Sequence, residues 1–161
     1  MNLLALDLGT TTGFAYGTKH AHVGGIQSFK NDRYSGGGMR YLRFRRWLGE
    51  LHDIEPIHEI VFEEVRAHKG VDAAHVYGGL LGTLTGWCEE HNIPYEGVPV
   101  AKIKKFATGK GNASKDAIIA AVRSWGYEPI DDNEADARAL FHLRLAEAPG
   151  VVSEKDKSLF G

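Results

Sequence analysis

A single cysteine, Cys88, in 161 residues excludes a disulfide framework within the chain. It sits in a helical-looking segment, where it reads as a small buried hydrophobe and suits a reducing compartment. No apolar run approaches the roughly 20 residues of a membrane span. The chain opens on Met1-Asn2-Leu3-Leu4 without a basic leader, so a soluble cytoplasmic protein with no membrane partner is expected. Net charge is scarce too, at −2, but that balance hides a segregation. Lys102, Lys104, Lys105, Lys110, Lys115 and Arg123 crowd one stretch, and Glu128, Asp131, Asp132, Glu134 and Asp136 crowd the next. Repeats, linkers and low-complexity segments are missing as well. The length suits one domain, able to bury about two thirds of its unfolded surface in one core.

Leu3 to Asp7 is a short apolar run that ends in a carboxylate and a Gly-Thr-Thr-Thr-Gly turn. Phe14 to Gly17 and His22 to Phe29 read as returning strands, completing a meander. The Gly-, Asp-, Asn- and Ser-rich stretch from Asn31 to Gly38 reads as a loop before an amphipathic helix from about Met39 to His52. A strand from Glu59 to Glu63 follows, then a helix from about Ala73 to His91, a strand from Tyr95 to Val98, and helical segments around Val100 to Phe106 and Ser114 to Trp125. The last helix runs from about Asn133 to Ala146. The expected fold is α/β, a mixed five-stranded sheet with an antiparallel opening and parallel later strands, flanked by helices. Residues 1–148 form the expected domain, and 149–161 a frayed tail.

Two strands end in acids. If the Leu3 and Glu59 strands are parallel neighbours, Asp7 lies about one strand spacing, near 5 Å, from the acids at the second strand's end. Alternation sends Glu63 and Glu64 to opposite faces, so only one of them can join Asp7. A helix starting near Asp132 presents Asp132 and Asp136 at i and i+4, on one face, and can close the cluster from the side. Clustered carboxylates repel unless a cation neutralises them, and oxygen ligands without His or Cys favour Mg²⁺ or Mn²⁺. Two such ions would suit in-line phosphodiester hydrolysis. Singly, Asp132 or Glu134 reads equally as a helix cap. Asp136 stands past the first turn among Ala135, Ala137, Ala139 and Leu140, where a charge has no evident structural task.

Taken in order and spacing, four segments resemble the RuvC family of Holliday junction resolvases, within the RNase H-like superfamily. They are Leu4-Ala5-Leu6-Asp7-Leu8-Gly9-Thr10-Thr11-Thr12-Gly13-Phe14-Ala15, Val61-Phe62-Glu63-Glu64-Val65, Gly109-Lys110-Gly111-Asn112-Ala113-Ser114-Lys115 and Glu134-Ala135-Asp136-Ala137. The resemblance covers most of the chain and selects Glu63 over Glu64. It implies an RNase H-like fold and two Mg²⁺ ions on Asp7, Glu63 and Asp136, with Mn²⁺ able to substitute. It also implies a homodimer that cuts four-way DNA junctions, in a bacterial or phage-infected cell. Two positions depart from the family pattern. Three residues before the final acid, where the family often has another ligand, this chain has Asn133, leaving Asp132, Asn133 or water as the fourth ligand. Three residues after the strand-end acid, where the family often has a wedging aromatic, it has Arg66, which widens the expected substrates to other branched DNA.

Lys115 falls in the first turn of a helix, where the dipole disfavours a cation and Ser114 is a plausible cap. By the resemblance it contacts the scissile phosphate, completing a catalytic set of Asp7, Glu63, Asp132, Asp136 and Lys115. Lys102, Lys104, Lys105 and Lys110 would then hold flanking phosphates without reading sequence, or simply form a solvated face. Arg66, His68 and Lys69, just beyond Glu63, complete the expected DNA-contacting set, with His75 a weaker candidate. Arg40, Arg43, Arg45 and Arg46 read first as balancing the acids of the C-terminal segment and second as tracking DNA. Gly78, Gly82 and Gly86 recur every fourth residue, a smooth helix face for close approach to the sheet or, as the resemblance favours, to a partner subunit. His20 and His22 lack partners at zinc spacing and receive no role. Two rivals stand beside the nuclease. One is a branched-DNA binding module without competent metal sites. The other is an ATPase domain of the actin and sugar-kinase type, suggested by Asp-Leu-Gly-Thr-Thr but needing a second domain to enclose a nucleotide.

Overall fold

The computed structural model describes residues 1–147, and the expected tail lies outside the described residues. Ten elements follow one another: β1 (Leu3–Asp7), β2 (Thr11–Gly17), β3 (His22–Ser28), α1 (Met39–Ile54), β4 (Glu59–Glu64), α2 (Val71–His91), β5 (Tyr95–Pro99), α3 (Val100–Thr108), α4 (Lys115–Ser124) and α5 (Asp132–Ala146). The sheet order is β3-β2-β1-β4-β5. Strands β1, β2 and β3 form the antiparallel meander, and β4 joins β1 in parallel with Leu6 beside Phe62. β5 continues the parallel half.

Strand alternation sorts the core into two layers. Leu4, Leu6, Ile60 and Phe62 face α1 and α2, where Phe44, Trp47, Leu48, Leu80, Leu84 and Trp87 cover them. Leu3, Ala5, Ala15 and Val61 face the opposite layer, with Ile103 of α3, Ile118 and Val122 of α4, and Ala135, Ala139, Leu140 and Phe141 of α5. The alanines keep α5 thin where it crosses the centre of the sheet. Cys88 is fully buried in the first layer, and burial pushes its thiol up to about 12, an inert side chain. Among the described residues no helix is long and apolar enough to cross a membrane.

The differences from expectation are local. β2 begins at Thr11 rather than Phe14, because Thr12 is buried and its hydroxyl donates to the Gly9 carbonyl at 2.8 Å, which closes the turn early. α2 begins at Val71, so His75 is helical. The α1 arginines do not balance the C-terminal acids: Arg45 pairs with Glu90 of α2, while Arg40 and Arg43 donate to the carbonyls of Phe29 and Lys30. Gly78, Gly82 and Gly86 face away from the sheet, with nothing near the position a Cβ would take, which overturns the sheet-packing alternative. The residue that admits a close neighbour is Gly79, under the Tyr41 ring. His22, given no role from sequence, joins His142 in sharing the Tyr127 hydroxyl, at 2.7 Å and 3.0 Å, and so ties β3 to α5.

Candidate active site

Asp7 is the last residue of β1 and Glu63 lies one step beyond the paired Leu6 and Phe62, so both acids leave the sheet at the same edge. Both occupy alternation positions on the α5 side, in line with Ala5 and Val61. Glu64, in line with Phe62, belongs to the other face. Asp136 comes from the second turn of α5. One carboxylate oxygen from each of Asp7, Glu63 and Asp136 lies within 4.8 Å of the others, and all three side chains are half-buried.

The end of β4 is held from below. The Tyr77 hydroxyl donates to the Glu63 carbonyl at 2.9 Å and accepts from the Val65 N–H at 3.1 Å, fastening the strand just where its pairing with β1 stops. Tyr77→Phe is expected to cost about 1 kcal/mol, lowering Tm by roughly 2–4 °C in a thermal melt. The start of α5 is fastened by Asp131, not by Asp132 or Glu134: its carboxylate accepts from the Glu134 N–H at 2.9 Å. Glu134 in turn accepts from the Ile130 N–H at 3.1 Å and from Arg138 at 2.7 Å, an almost fully buried pair. Arg138 stacks on Tyr127 with its guanidinium carbon 4.2 Å from the ring centre.

Crowding and burial leave a clear electrostatic mark. Burial first, then Glu63 and Asp136, hold the Asp7 carboxyl well above the usual range. Burial also raises Glu63. Asp136 is pushed up to about 7 by burial and by the charges of Glu63 and Asp132, with Lys104 and Lys115 opposing. A divalent cation fits this donor set, since hard oxygen ligands converge and the two nearby lysines do not cancel the repulsion. Protons and metal compete for the same oxygens. Divalent-metal affinity is therefore expected to climb as pH rises through about 7, where Asp136 loses its proton, by up to about tenfold per unit for each proton displaced. Calorimetry in buffers of different ionisation enthalpy would read the protons released.

No family model matches the sequence, and no curated protein matches it. Solved structures do. "T. thermophilus RuvC in complex with Holliday junction substrate" superposes with a TM-score of 0.73 at 21% identity, over 90% of this chain and 96% of that one. A second Thermus thermophilus RuvC structure gives 0.70 at 21% identity with the same coverage. The yeast mitochondrial Holliday junction resolvase Ydc2 gives 0.55 at 13% identity, over 85% of this chain and 74% of that one. The chain has the RuvC-like fold.

Within the RuvC-like fold, Asp132 stands beside the three-acid group and not in it. Its carboxylate meets Lys115 Nζ at 3.2 Å, and its charge is felt by both Asp7 and Asp136. The Asn133 amide nitrogen donates to Asp131 at 3.1 Å. Lys115 opens α4 as expected, with Ser114 accepting from the Ala117 N–H at 3.2 Å, and Asp132 raises the Lys115 pKa. Gly109 ends α3 at φ +84°, a conformation that favours glycine, and turns the chain into that lysine loop.

The other basic residues separate by position. Lys104 is half-buried and close enough to lower both Glu63 and Asp136. Lys102 is engaged with Glu147 at 3.0 Å, and Lys105 and Lys110 are exposed. Arg66 is exposed and pairs with Glu64 at 3.3 Å. His68 packs on the Tyr77 ring at 4.8 Å between centroids, and Lys69 is exposed beside it. Sequence reasoning missed Tyr77, Asp131 and Gly13. Only Gly13 left a signal, a glycine inside a strand, which often marks close backbone approach.

Proposed function

We propose that this protein is a divalent-metal-dependent endonuclease that cleaves branched DNA, four-way junctions foremost, as a homodimer in the cytosol. The observation that carries the reading is the convergence of Asp7, Glu63 and Asp136 at one sheet edge of a RuvC-like fold, with Lys115 beside them. These three acids would hold Mg²⁺, or Mn²⁺ in its place, with Asp132 joining to complete a two-ion donor set. When bound, the metal supplies Lewis-acid stabilisation of the charge that builds on phosphate oxygens during hydrolysis.

The chain's own groups do the rest. Lys115 is 80% exposed and its partner Asp132 one third exposed, and an exposed pair of this kind is worth about 0–1 kcal/mol. A phosphate oxygen can therefore draw Lys115 away from Asp132, which frees that carboxylate to turn towards the acids. Lys104 offsets the negative charge of the acid group from within, and exposed Lys105, Lys110 and Lys69 suit flanking phosphates, as Lys102 and Arg66 do once released from their surface partners. The exposed Gly78, Gly82 and Gly86 face of α2 suits a two-fold partner, which would bring two such sites to one junction.

Asn133 favours one second reading, a branched-DNA binding module, because a neutral amide, its nitrogen donating to Asp131, stands where a further acid would strengthen the metal donor set. Incubation with labelled four-way, flap and duplex DNA in Mg²⁺ and in Mn²⁺ separates the two. Paired incisions in the four-way junction support the nuclease; retention without cutting in either metal supports the module; indifference to branching sinks both.

A further inference from the structure

His22 opens β3, Tyr127 lies in the connection between α4 and α5, and His142 belongs to the penultimate turn of α5. The fold brings the three together on the flank of α5, where β3, the outermost strand, runs beside it. The Nε2 atoms of both imidazoles converge on one oxygen, the Tyr127 hydroxyl, at 2.7 Å and 3.0 Å. That hydroxyl has a single hydrogen, so it can donate to only one of them. For His22 the proton position is fixed, because its Nδ1 lies 3.1 Å from the Thr18 carbonyl, which can only accept. Nδ1 therefore holds the hydrogen, and Nε2 turns a lone pair towards the cluster. Nδ1 of His142 has no such commitment among the described residues, so the hydrogen can sit there and leave Nε2 with a second lone pair.

We infer that His22 Nε2, His142 Nε2 and Tyr127 Oη bind one divalent transition-metal ion of the Zn²⁺ class, at a site separate from the three acids. Two imidazoles and a phenol suit Zn²⁺, Cu²⁺ or Ni²⁺ over Mg²⁺, whereas the carboxylates favour hard ions. Tetrahedral bonds of about 2.1 Å separate ligand atoms by roughly 3.4 Å, so loading needs the phenol oxygen to retreat from the rings by less than about 1 Å. The imidazoles meet edge to face with ring centres 5.5 Å apart, as two ligands directed at one ion do. The Nδ1–H of His22 on a backbone carbonyl is the outer contact that orients a metal-binding imidazole. Phe141 against His22 at 4.8 Å and Trp125 against His142 at 5.1 Å brace both rings from outside. Arg138 over the Tyr127 ring would repel a cation by itself, but Glu134 neutralises it at 2.7 Å. All three ligands are half-buried, which leaves the fourth position to water. His52 and His91 also stand 5.5 Å apart and fail the same test: His52 Nδ1 accepts from the Ile57 N–H, so its hydrogen sits on Nε2, with no lone pair to offer. An ion at His22, Tyr127 and His142 would join the outermost strand to the helix that carries Asp136, a structural clip outside the chemistry.

The probe is Zn²⁺ alone, titrated by calorimetry into the full chain with Mg²⁺ in large excess to occupy the acids. One Zn²⁺ per chain at micromolar affinity or tighter is expected, together with a rise of several degrees in Tm. Asp136→Asn should keep this binding, while His22→Gln and His142→Gln should each weaken it by more than about tenfold. Co²⁺ in place of Zn²⁺ needs no variant: the wild type should show the intense visible bands of a four-coordinate ion, which Zn²⁺ bleaches and Mg²⁺ does not. Melts in EDTA show which variants fold, and where a histidine variant does not, Tyr127→Phe and the wild-type Co²⁺ spectrum decide. No Zn²⁺ bound under excess Mg²⁺, only the weak bands of six-coordinate Co²⁺, or binding that Asp136→Asn removes and the histidine variants keep would each overturn the clip. None of these results touches the nuclease reading, which stands or falls on cleavage.

Discussion

Asp136→Asn is expected to end cleavage of four-way junctions while leaving their binding unchanged or tighter. The loss should exceed the 10–100-fold typical of changes to the outer partners of a metal ligand, because Asp136 contributes an oxygen to the three-acid group itself. Binding should survive because the substitution removes negative charge from the place a phosphate must approach, and Asp7→Asn should behave alike. The same substitution carries a stability signature with a definite sign. In the metal-free fold the Asp136 carboxyl sits at about 7, above an ordinary aspartate near 3.8. The folded state therefore binds more protons than the unfolded state between those values, so the metal-free protein loses stability as pH rises through that window. An amide carries no charge to repel. Asp136→Asn should thus be the more stable protein above pH 7 in EDTA, by on the order of 1–3 kcal/mol, and should gain nothing near pH 4. Thermal melts at two pH values read this directly, and Mg²⁺ should reverse the order by stabilising only the wild type. A variant that cuts at the wild-type rate would remove the acid group from the reaction.

Gly13→Ala should do comparable damage without touching an acid. Gly13 pairs across the ladder with Asp7 and lies on the α5 face, where a Cβ would fall inside the Asn133 carbonyl and against the Glu134 N–H. These are backbone atoms in the first turn of α5, so no side-chain rotation can relieve the overlap. The helix start must move outward, and Asp136 moves with it, away from Asp7 and Glu63. Overpacking of this kind costs roughly 1–3 kcal/mol and sometimes more; with backbone on the far side, the upper end is expected. Cleavage should fall with metal affinity, even where the protein remains folded by circular dichroism. Gly36→Ala is the matched control, since nothing lies near its Cβ position, and it should leave stability and activity within error. Wild-type activity in Gly13→Ala would mean that the approach of α5 does not set the acid group.

The chain order of elements was legible from residues alone, since the meander, the crossovers and the last helix each carry a strong local pattern. The short helices around Lys102 and Lys115 were placed to within two or three residues for the same reason. Thr11 and Thr12 look like turn residues in the sequence, and only the buried Thr12 hydroxyl, closing on Gly9, makes them strand. Arg45 finds Glu90 and not the C-terminal acids because pairing across α1 and α2 depends on how two distant helices cross, and Arg40 and Arg43 find the carbonyls of Phe29 and Lys30 because the chain entering α1 passes beside them.

Sequence by itself determined that Asp7 and one of two adjacent glutamates end strands, and that Asp132 and Asp136 share a helix face, because strand and helix periodicities are local. Which glutamate joins Asp7 is a tertiary matter: alternation makes the two face opposite ways, and only the packing of α5 on the Ala5 and Val61 side decides for Glu63. The rank of Asp132 was decided in the same way, since Lys115 arrives from α4 to engage it at 3.2 Å. What no local pattern contains is the distance of closest approach between α5 and the sheet. It is set by a missing Cβ at Gly13, seen only when Asn133, 120 residues later, lies against it.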